Sequence, residues 1–301
     1  MKDYVVFSIS SNKTLAKDFA KFWNCQLGKL DIKKYPDGEA LIIPITNVEN
    51  KDVILIESTP RKPHEHLVDI LLALDSFSHS NAKSVTLIIP FLSYSRQERM
   101  NHPKEPISAE VVARLLETGQ YDRLITFDLH HPDVAKFYSR GIENIPTATL
   151  FGNYYSSLLK EKGISNKDVV IVSPDHGINA RADMLMFALR GSKRVILEKV
   201  KSEKDKTEHL EINIDVEGKT CIILDDIIST GATIAAASKL LYKKGASTVF
   251  AAATHGIFAK GSIELLKKAR VKDIVVTNTI DQGKEERVKT LDVLQILLET
   301  I

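Results

Sequence analysis

Two adjacent carboxylates close an apolar run in TCIILDDIISTGAT (220–233), and a short loop of hydroxyl and glycine residues follows them. The run 221–224 reads as a buried strand delivering Asp225 and Asp226 to its carboxyl end, the edge at which open α/β sheets take ligands. Behind them, Ser229, Thr230, Gly231, Ala232 and Thr233 bring hydroxyls and backbone N–H groups to the start of a helix expected over 234–244. A helix N-terminus of that kind favours an anion. Carboxylates suit the hydroxyls of a sugar, and the loop suits a phosphate on the same sugar. The plainer reading, a polar strand-to-helix turn, requires the acidic pair and the hydroxyl loop to coincide by chance.

Further groups with chemical capacity lie elsewhere. SPDHG (173–177) runs from a strand end into a helix, so its loop, Asp175, His176 and Gly177, would turn N–H groups toward a second anion and leave Asp175 to hold a cation. A structural turn is the alternative, and His176 has no chemical role of its own. In SYSRQER (93–99), Arg96, Gln97 and Arg99 offer planar donors for phosphate oxygens and an adenine edge, work for which guanidinium is better shaped than ammonium. A solvated charged loop would look the same. YPDGE (35–39) joins an aromatic face to two carboxylates, so an adenine could stack on Tyr35 while Asp37 and Glu39 accept its amino hydrogens; PDG is also a common turn without a ligand. His130 falls at the end of a strand, on the active edge of a sheet, although a lone histidine is more often a core residue. His131 falls on the opposite face and His64 and His66 in a loop, and these three read as bystanders. The stretch KVKSEKDKTEHLE (199–211) balances four lysines against four acids and reads as a solvated loop or hairpin, with Lys199 and Lys201 at its stem.

These groups need elements to hold them. Apolar, β-branched runs predict strands at 5–8, 53–57, 85–90, 124–128, 169–173, 195–197, 221–224, 249–253 and 274–277. Helical spacing falls between them, at 15–23, 67–77, 109–116, 150–160, 180–189 and 263–268, with Ser108 expected to cap the third of these. Strands alternating with helices imply mainly parallel sheets flanked by helices. The halves look alike: SVTLIIPFLSYSRQER and LITFDLHH in the first correspond to the 221–224 strand and VFAAATHG in the second, which suggests a duplicated α/β unit. The expected boundary places one domain at 1–145 and the other at 146–287, with a last helix, 291–298, packing back on the first.

The 301 residues suffice for two cores, and 44% hydrophobic with 27% charged residues describes a soluble globular protein. Lysine and arginine total 41 against 39 acids, a net +2 that gives no general attraction to nucleic acid. No apolar run matches a membrane span or a secretory signal, so a cytoplasmic protein is expected. Cys25 and Cys221 are read as buried free thiols.

Six motifs in order, YPDGE, SYSRQER, FDLHHPDVAKFY, SPDHGINARAD, LDDIISTGAT and THGIF, resemble the ribose-phosphate pyrophosphokinase (PRPP synthase) family over essentially the whole chain. The resemblance implies two phosphoribosyltransferase-like α/β domains, the first serving ATP and the second ribose 5-phosphate. It implies a homo-oligomer, dimer or hexamer, that needs Mg2+ and binds neither nucleic acid nor membrane. On this resemblance Arg96 and Gln97 serve ATP, and YPDGE serves the nucleotide site of a neighbouring subunit. Asp225, Asp226 and 229–233 take ribose 5-phosphate, and Asp175 to Gly177 form the pyrophosphate loop. His130 and Asp175 hold the metal, and Lys199 is the catalytic lysine. Lys201 stands where an arginine is usual, Tyr35 where phenylalanine is, and Ala232 where glycine is. A phosphoribosyltransferase consuming PRPP is the nearest rival, though it would not require the nucleotide-side motifs. A catalytically silent homologue is the other, and the presence of His130, Asp175, Lys199 and both aspartates argues against it.

Overall fold

The computed structural model describes residues 3–174, 179–201, 208–283 and 285–301, the side chains of 179, 180, 199–201, 208 and 209 apart. Two compact units share the chain: Met1–Ile145 with Thr279–Asp281 and Leu294–Ile301, and Pro146–Asn278 with Gln282–Val293.

The first unit contains β1 (Tyr4–Phe7), α1 (Lys13–Phe22), β2 (Gln26–Leu27), β3 (Leu30–Lys34), β4 (Ala40–Pro44), β5 (Asp52–Ile56), α2 (Pro63–His79), β6 (Ser84–Ile89), α3 (Ser108–Leu116), β7 (Arg123–Phe127) and β8 (Glu143–Ile145). Its parallel six-stranded sheet runs β2-β1-β5-β6-β7-β8, and β3 and β4 form a separate antiparallel hairpin. Helix α2 turns Leu67, Ile70, Leu74 and Phe77 into the core, the one-sided stripe that seats a helix on a sheet. The C-terminal helix, Leu294–Leu298, also belongs to this unit. It starts later than its apolar spacing suggested, because residues 288–291 are drawn into a sheet edge of the second unit.

The second unit contains α4 (Ala148–Glu161), β9 (Val169–Ser173), α5 (Asn179–Ala188), β10 (Lys193–Ile196), β11 (Glu198–Lys201), β12 (Glu208–Glu211), β13 (Thr220–Ile228), α6 (Ala232–Lys243), β14 (Thr248–Gly256), α7 (Ser262–Lys268), β15 (Ile274–Thr277) and β16 (Val288–Leu291). Its parallel sheet runs β10-β9-β13-β14-β15-β16, the same order as the first, and β11 pairs with β12 as a hairpin. The duplication is therefore present, but its register is one strand away from the correspondence drawn from sequence. By sheet position β13 takes the place of β5 and β14 that of β6. The central strand is apolar on both faces: Cys221 and Ile223 enter one core cluster, Ile222 and Leu224 the other. Strands buried on both sides read as continuous apolar runs, which is why they stood out.

In each unit the chain steps outward from its first strand and then reverses, so the strand order switches between β1 and β5, and again between β9 and β13. Open α/β sheets bind ligands at that crevice, outside the carboxyl ends of the strands.

Candidate active site

Strand β13 runs through Ile228, beyond the 221–224 expected, so both aspartates lie within it and not past its end. The cause is β14, which pairs with β13 as far as Ile228↔Gly256, whereas β9 pairs with it over residues 220–223 only. Asp225 and Asp226 thus project where one flank of the strand has ended. Alternation sends them to opposite faces, Asp225 with Cys221 and Ile223, Asp226 with Ile222 and Leu224. Asp225 is half-buried and Asp226 only 2% exposed. The Asp225 carboxylate accepts the Asp226 N–H at 2.8 Å.

The loop behind them ends at Gly231, which caps α6 at φ 74°, and the helix begins at Ala232, two residues earlier than expected. A Cβ at 231 would also lie 3.1 Å from Leu266 Cγ, so left-handed backbone and close packing both call for glycine. Ser229 is half-buried and Thr230, Ala232 and Thr233 are exposed, at a helix N-terminus whose first N–H groups have no intrahelical acceptor. The Thr230 hydroxyl lies 3.4 Å from the Ala232 N–H. Chemically, the segment offers carboxylate acceptors followed at once by donors suited to an anion.

Residues Asp175, His176 and Gly177 lie outside the described residues. Lys199 and Lys201 lie on β11, Lys199 opposite Leu210 and Lys201 opposite Glu208. The two ends of the charged stretch thus pair as antiparallel strands.

In the first unit, YPDGE makes the β3–β4 turn. Gly38 N–H donates to Tyr35 O at 2.9 Å, Gly38 takes φ 96°, and Tyr35 N–H donates to Glu39 O at 2.9 Å, the three-residue hairpin that Pro-Asp-Gly favours. Tyr35 is 46% exposed, and Asp37 and Glu39 are exposed beside it. The 93–99 loop follows β6. Gln97 is half-buried, and its Oε1 accepts the Ser108 hydroxyl at 2.6 Å. Ser108 is therefore not the cap of α3; it is the first helical residue and orients Gln97. Arg96 and Arg99 are exposed, Arg99 3.5 Å from Glu98. Tyr94 takes φ 68°, a conformation a bulky residue adopts only when its surroundings impose it, and its hydroxyl lies 2.9 Å from His64 Nδ1.

Half-buried His130 stands three residues beyond the end of β7, past the buried Asp128 at φ 40°, so a turn and not the strand presents it. His131 likewise leaves the sheet and caps a 3-10 turn, its Nδ1 accepting the Asp133 N–H at 3.2 Å. His64 and His66 fall on α2 and not in a loop, because Pro63 starts the helix earlier than its apolar stripe does. His66 lies 3.3 Å from the wholly buried carboxylate of Glu57.

Both cysteines are free; Cys221 is buried and its thiol is pushed up to about 12 by burial, while Cys25 is half-buried. Among the described residues no helix is long and apolar enough to cross a membrane.

A family profile for the N-terminal domain of ribose phosphate pyrophosphokinase matches residues 4–119, and one for the phosphoribosyl synthetase-associated domain matches 167–301. A ribose-phosphate pyrophosphokinase of Bacillus cereus is 36% identical over 299 residues, 98% of this chain and 92% of its own length. One of Bacillus subtilis is 35% identical over 303 residues, covering 100% and 93%. Among solved structures, phosphoribosylpyrophosphate synthetase from Mycobacterium smegmatis superposes with a TM-score of 0.90 at 29% identity, covering 99% of this chain and 97% of that one.

Proposed function

Because this chain belongs to the ribose-phosphate pyrophosphokinase family, we propose that it transfers the β,γ-pyrophosphoryl group of ATP to the C1 hydroxyl of ribose 5-phosphate, giving PRPP and AMP. The observation that carries the reading is the Asp225–Asp226 pair leading directly into the Gly231 loop, at the switch point of a parallel sheet. Asp225 and Asp226 accept the ribose hydroxyls, and residues 229–233 take the 5-phosphate at the start of α6. The anomeric hydroxyl attacks the β-phosphorus while AMP leaves. Such transfers ask for alignment and charge neutralisation, with no covalent nucleophile. Lys199 and Arg96 neutralise charge on the transferred group, and Lys201 adds a point charge without the two-pronged grip of arginine. Tyr35, Asp37 and Glu39 take the adenine, and Arg96, Gln97 and Arg99 its phosphates and ring edge. Ordered Gln97, held by Ser108, supports that assignment.

The metal is magnesium, held by His130 and Asp175 with Gly177 and His176 completing the pyrophosphate loop. Among the described residues no three His, Cys, Asp or Glu side chains cluster to hold a metal. With only one imidazole and one carboxylate from the protein, such a cation would take most of its ligands as oxygens from substrate phosphates and water. When bound, it neutralises polyphosphate charge.

The protein works as a cytoplasmic homo-oligomer in which the 35–39 turn serves a neighbour's nucleotide. The apolar exposure of Leu41, Ile43 and Ile45 next to that turn, 38%, 40% and 64%, supports a covered surface there. Purified protein with ATP, magnesium and ribose 5-phosphate should release AMP and PRPP in equal amounts. Release of ADP would mean transfer of a single phosphate, and no turnover would favour a silent homologue.

A further inference from the structure

The switch-point crevice of the first unit is filled from within. Glu57 follows the end of β5, the place taken on β13 by the residues leading to the sugar-phosphate groups, and its carboxylate is 0% exposed. It does not point out to solvent. It reaches across to the loop that joins β1 to α1, where three successive backbone N–H groups converge on it: Ile9 and Ser10 on Oε2, both at 2.9 Å, and Ser11 on Oε1 at 3.0 Å. The Ser8 hydroxyl adds 3.1 Å to Oε2 and the Ser10 hydroxyl 2.7 Å to Oε1. His66 Nδ1 on α2 approaches Oε1 at 3.3 Å.

The chemistry of this donor set is specific. Consecutive N–H groups bent around one point make an anion nest. An amide in place of the carboxyl would set its own N–H2 against donors, whereas a carboxylate offers acceptor sites on both oxygens. Burial raises the Glu57 pKa, but hydrogen bonds from His66, Ser10 and Ser11 outweigh it and hold the group below the ordinary carboxylate range. By sheet position the loop 8–12 corresponds to the one after β9, which the function proposed above gives to pyrophosphate. Ser58, next to Glu57, locks the loop further: its N–H donates to Asn12 Oδ1 at 2.6 Å, and its hydroxyl to Thr279 O at 2.6 Å, which also accepts from Asn12 Nδ2 at 3.1 Å.

We propose that Glu57 is a built-in ligand: its carboxylate occupies the anion seat of the first unit and closes the switch-point crevice there. Removing the side chain should therefore uncover a seat for a small carboxylate, whose two oxygens match the two sets of donors. Ligand classes larger than that are excluded by the lock of Asn12 and Ser58 on Thr279.

The test uses full-length Glu57→Ala and thermal unfolding, with sodium formate compared against sodium chloride at equal ionic strength. We expect a loss in melting temperature on the order of 10 °C, the scale for emptying a buried, fully bonded charge site. Formate should recover at least half of it saturably in the variant while moving the wild type no more than chloride does. Equal responses to formate and chloride would overturn the proposal. If the variant folds only with help, refolding yield from denaturant is read instead; it should be higher in formate, and equal yields in the two salts would overturn the proposal. Neither readout uses enzyme turnover, so a failure here is distinct from a failure of the assigned reaction.

Discussion

The two switch points have the same strand order and differ in the acids that stand beside them. In the first unit a single acid, Glu57, turns inward and satisfies the donors of the loop after the first strand. In the second, two acids, Asp225 and Asp226, stand where β9 has ended, ahead of a loop that starts a helix. One carboxylate that points at a nest seals it; two that precede a helix start are, in the function proposed above, acceptors for a ligand carrying both hydroxyls and phosphate. On that proposal a duplicated fold specialises through the direction of a few side chains, with the strand order unchanged.

The sharpest way to break that contrast is to disarm the acidic pair of the second unit. Replacing Asp225 and Asp226 together by Asn should lower kcat/KM for ribose 5-phosphate by about a thousandfold, as expected for losing hydrogen bonds to charged acceptors worth about 1.5–3 kcal/mol each. A fall below tenfold would detach the pair from the sugar. Next in size, Lys199→Ala should cut kcat by roughly a hundredfold or more while leaving KM for ribose 5-phosphate within about threefold, since charge neutralisation acts on the transition state. Unchanged turnover would remove the lysine from the mechanism.

The closed crevice gives a pH test. The folded Glu57 pKa is depressed, so its stabilisation is complete above the unfolded value and is lost as pH falls through the folded one. The stability advantage of wild type over Glu57→Gln should therefore shrink between about pH 6 and about pH 3, the range that spans an ordinary glutamate pKa. His66 faces the carboxylate directly. Asp69, raised by burial, is the neighbouring acid and interacts with Lys34, His66, Glu57 and Glu65, so the Asp69→Asn background should keep the same trend. A constant gap across that range would contradict an ionised Glu57.

Smaller effects sharpen the comparison further. Gly231→Ala must place a side chain at φ 74° against Leu266, and should cost about 1–3 kcal/mol of stability and weaken ribose 5-phosphate binding. A neutral outcome would mean that the loop relaxes freely. Ser108→Ala releases Gln97, and a few-fold rise in KM for ATP, with ribose 5-phosphate unaffected, is expected from one hydrogen bond worth about 1 kcal/mol.

Sequence alone conveyed the α/β class, the doubling and the main buried strands, because strands such as β5 and β13 are apolar on both faces and punctuated at their ends. It conveyed the Asp225–Asp226 segment because residue types adjacent in the chain remain adjacent in the fold. What it did not convey depends on partners distant in sequence. The extension of β13 past the aspartates is imposed by β14, and the register of the duplication by sheet order. The short strands β2 and β8 are held by neighbours and lack a long pattern of their own. Glu57 carried one signal, an acid at the carboxyl end of an apolar strand in the first half, like the acids of the second. Its meaning needed the loop 8–12, some 46 to 49 residues away. His66 was passed over for the same reason, since its partner is not in its own segment.

The most direct measurement is the stoichiometry of ribose 5-phosphate binding by titration calorimetry, in the wild type and in the Asp225→Asn, Asp226→Asn double variant. One molecule per chain in the wild type and no measurable binding in the variant is the expected result. Two molecules per chain, or binding that survives loss of both carboxylates, would contradict the proposed division between a sugar-phosphate site in the second unit and a sealed seat in the first.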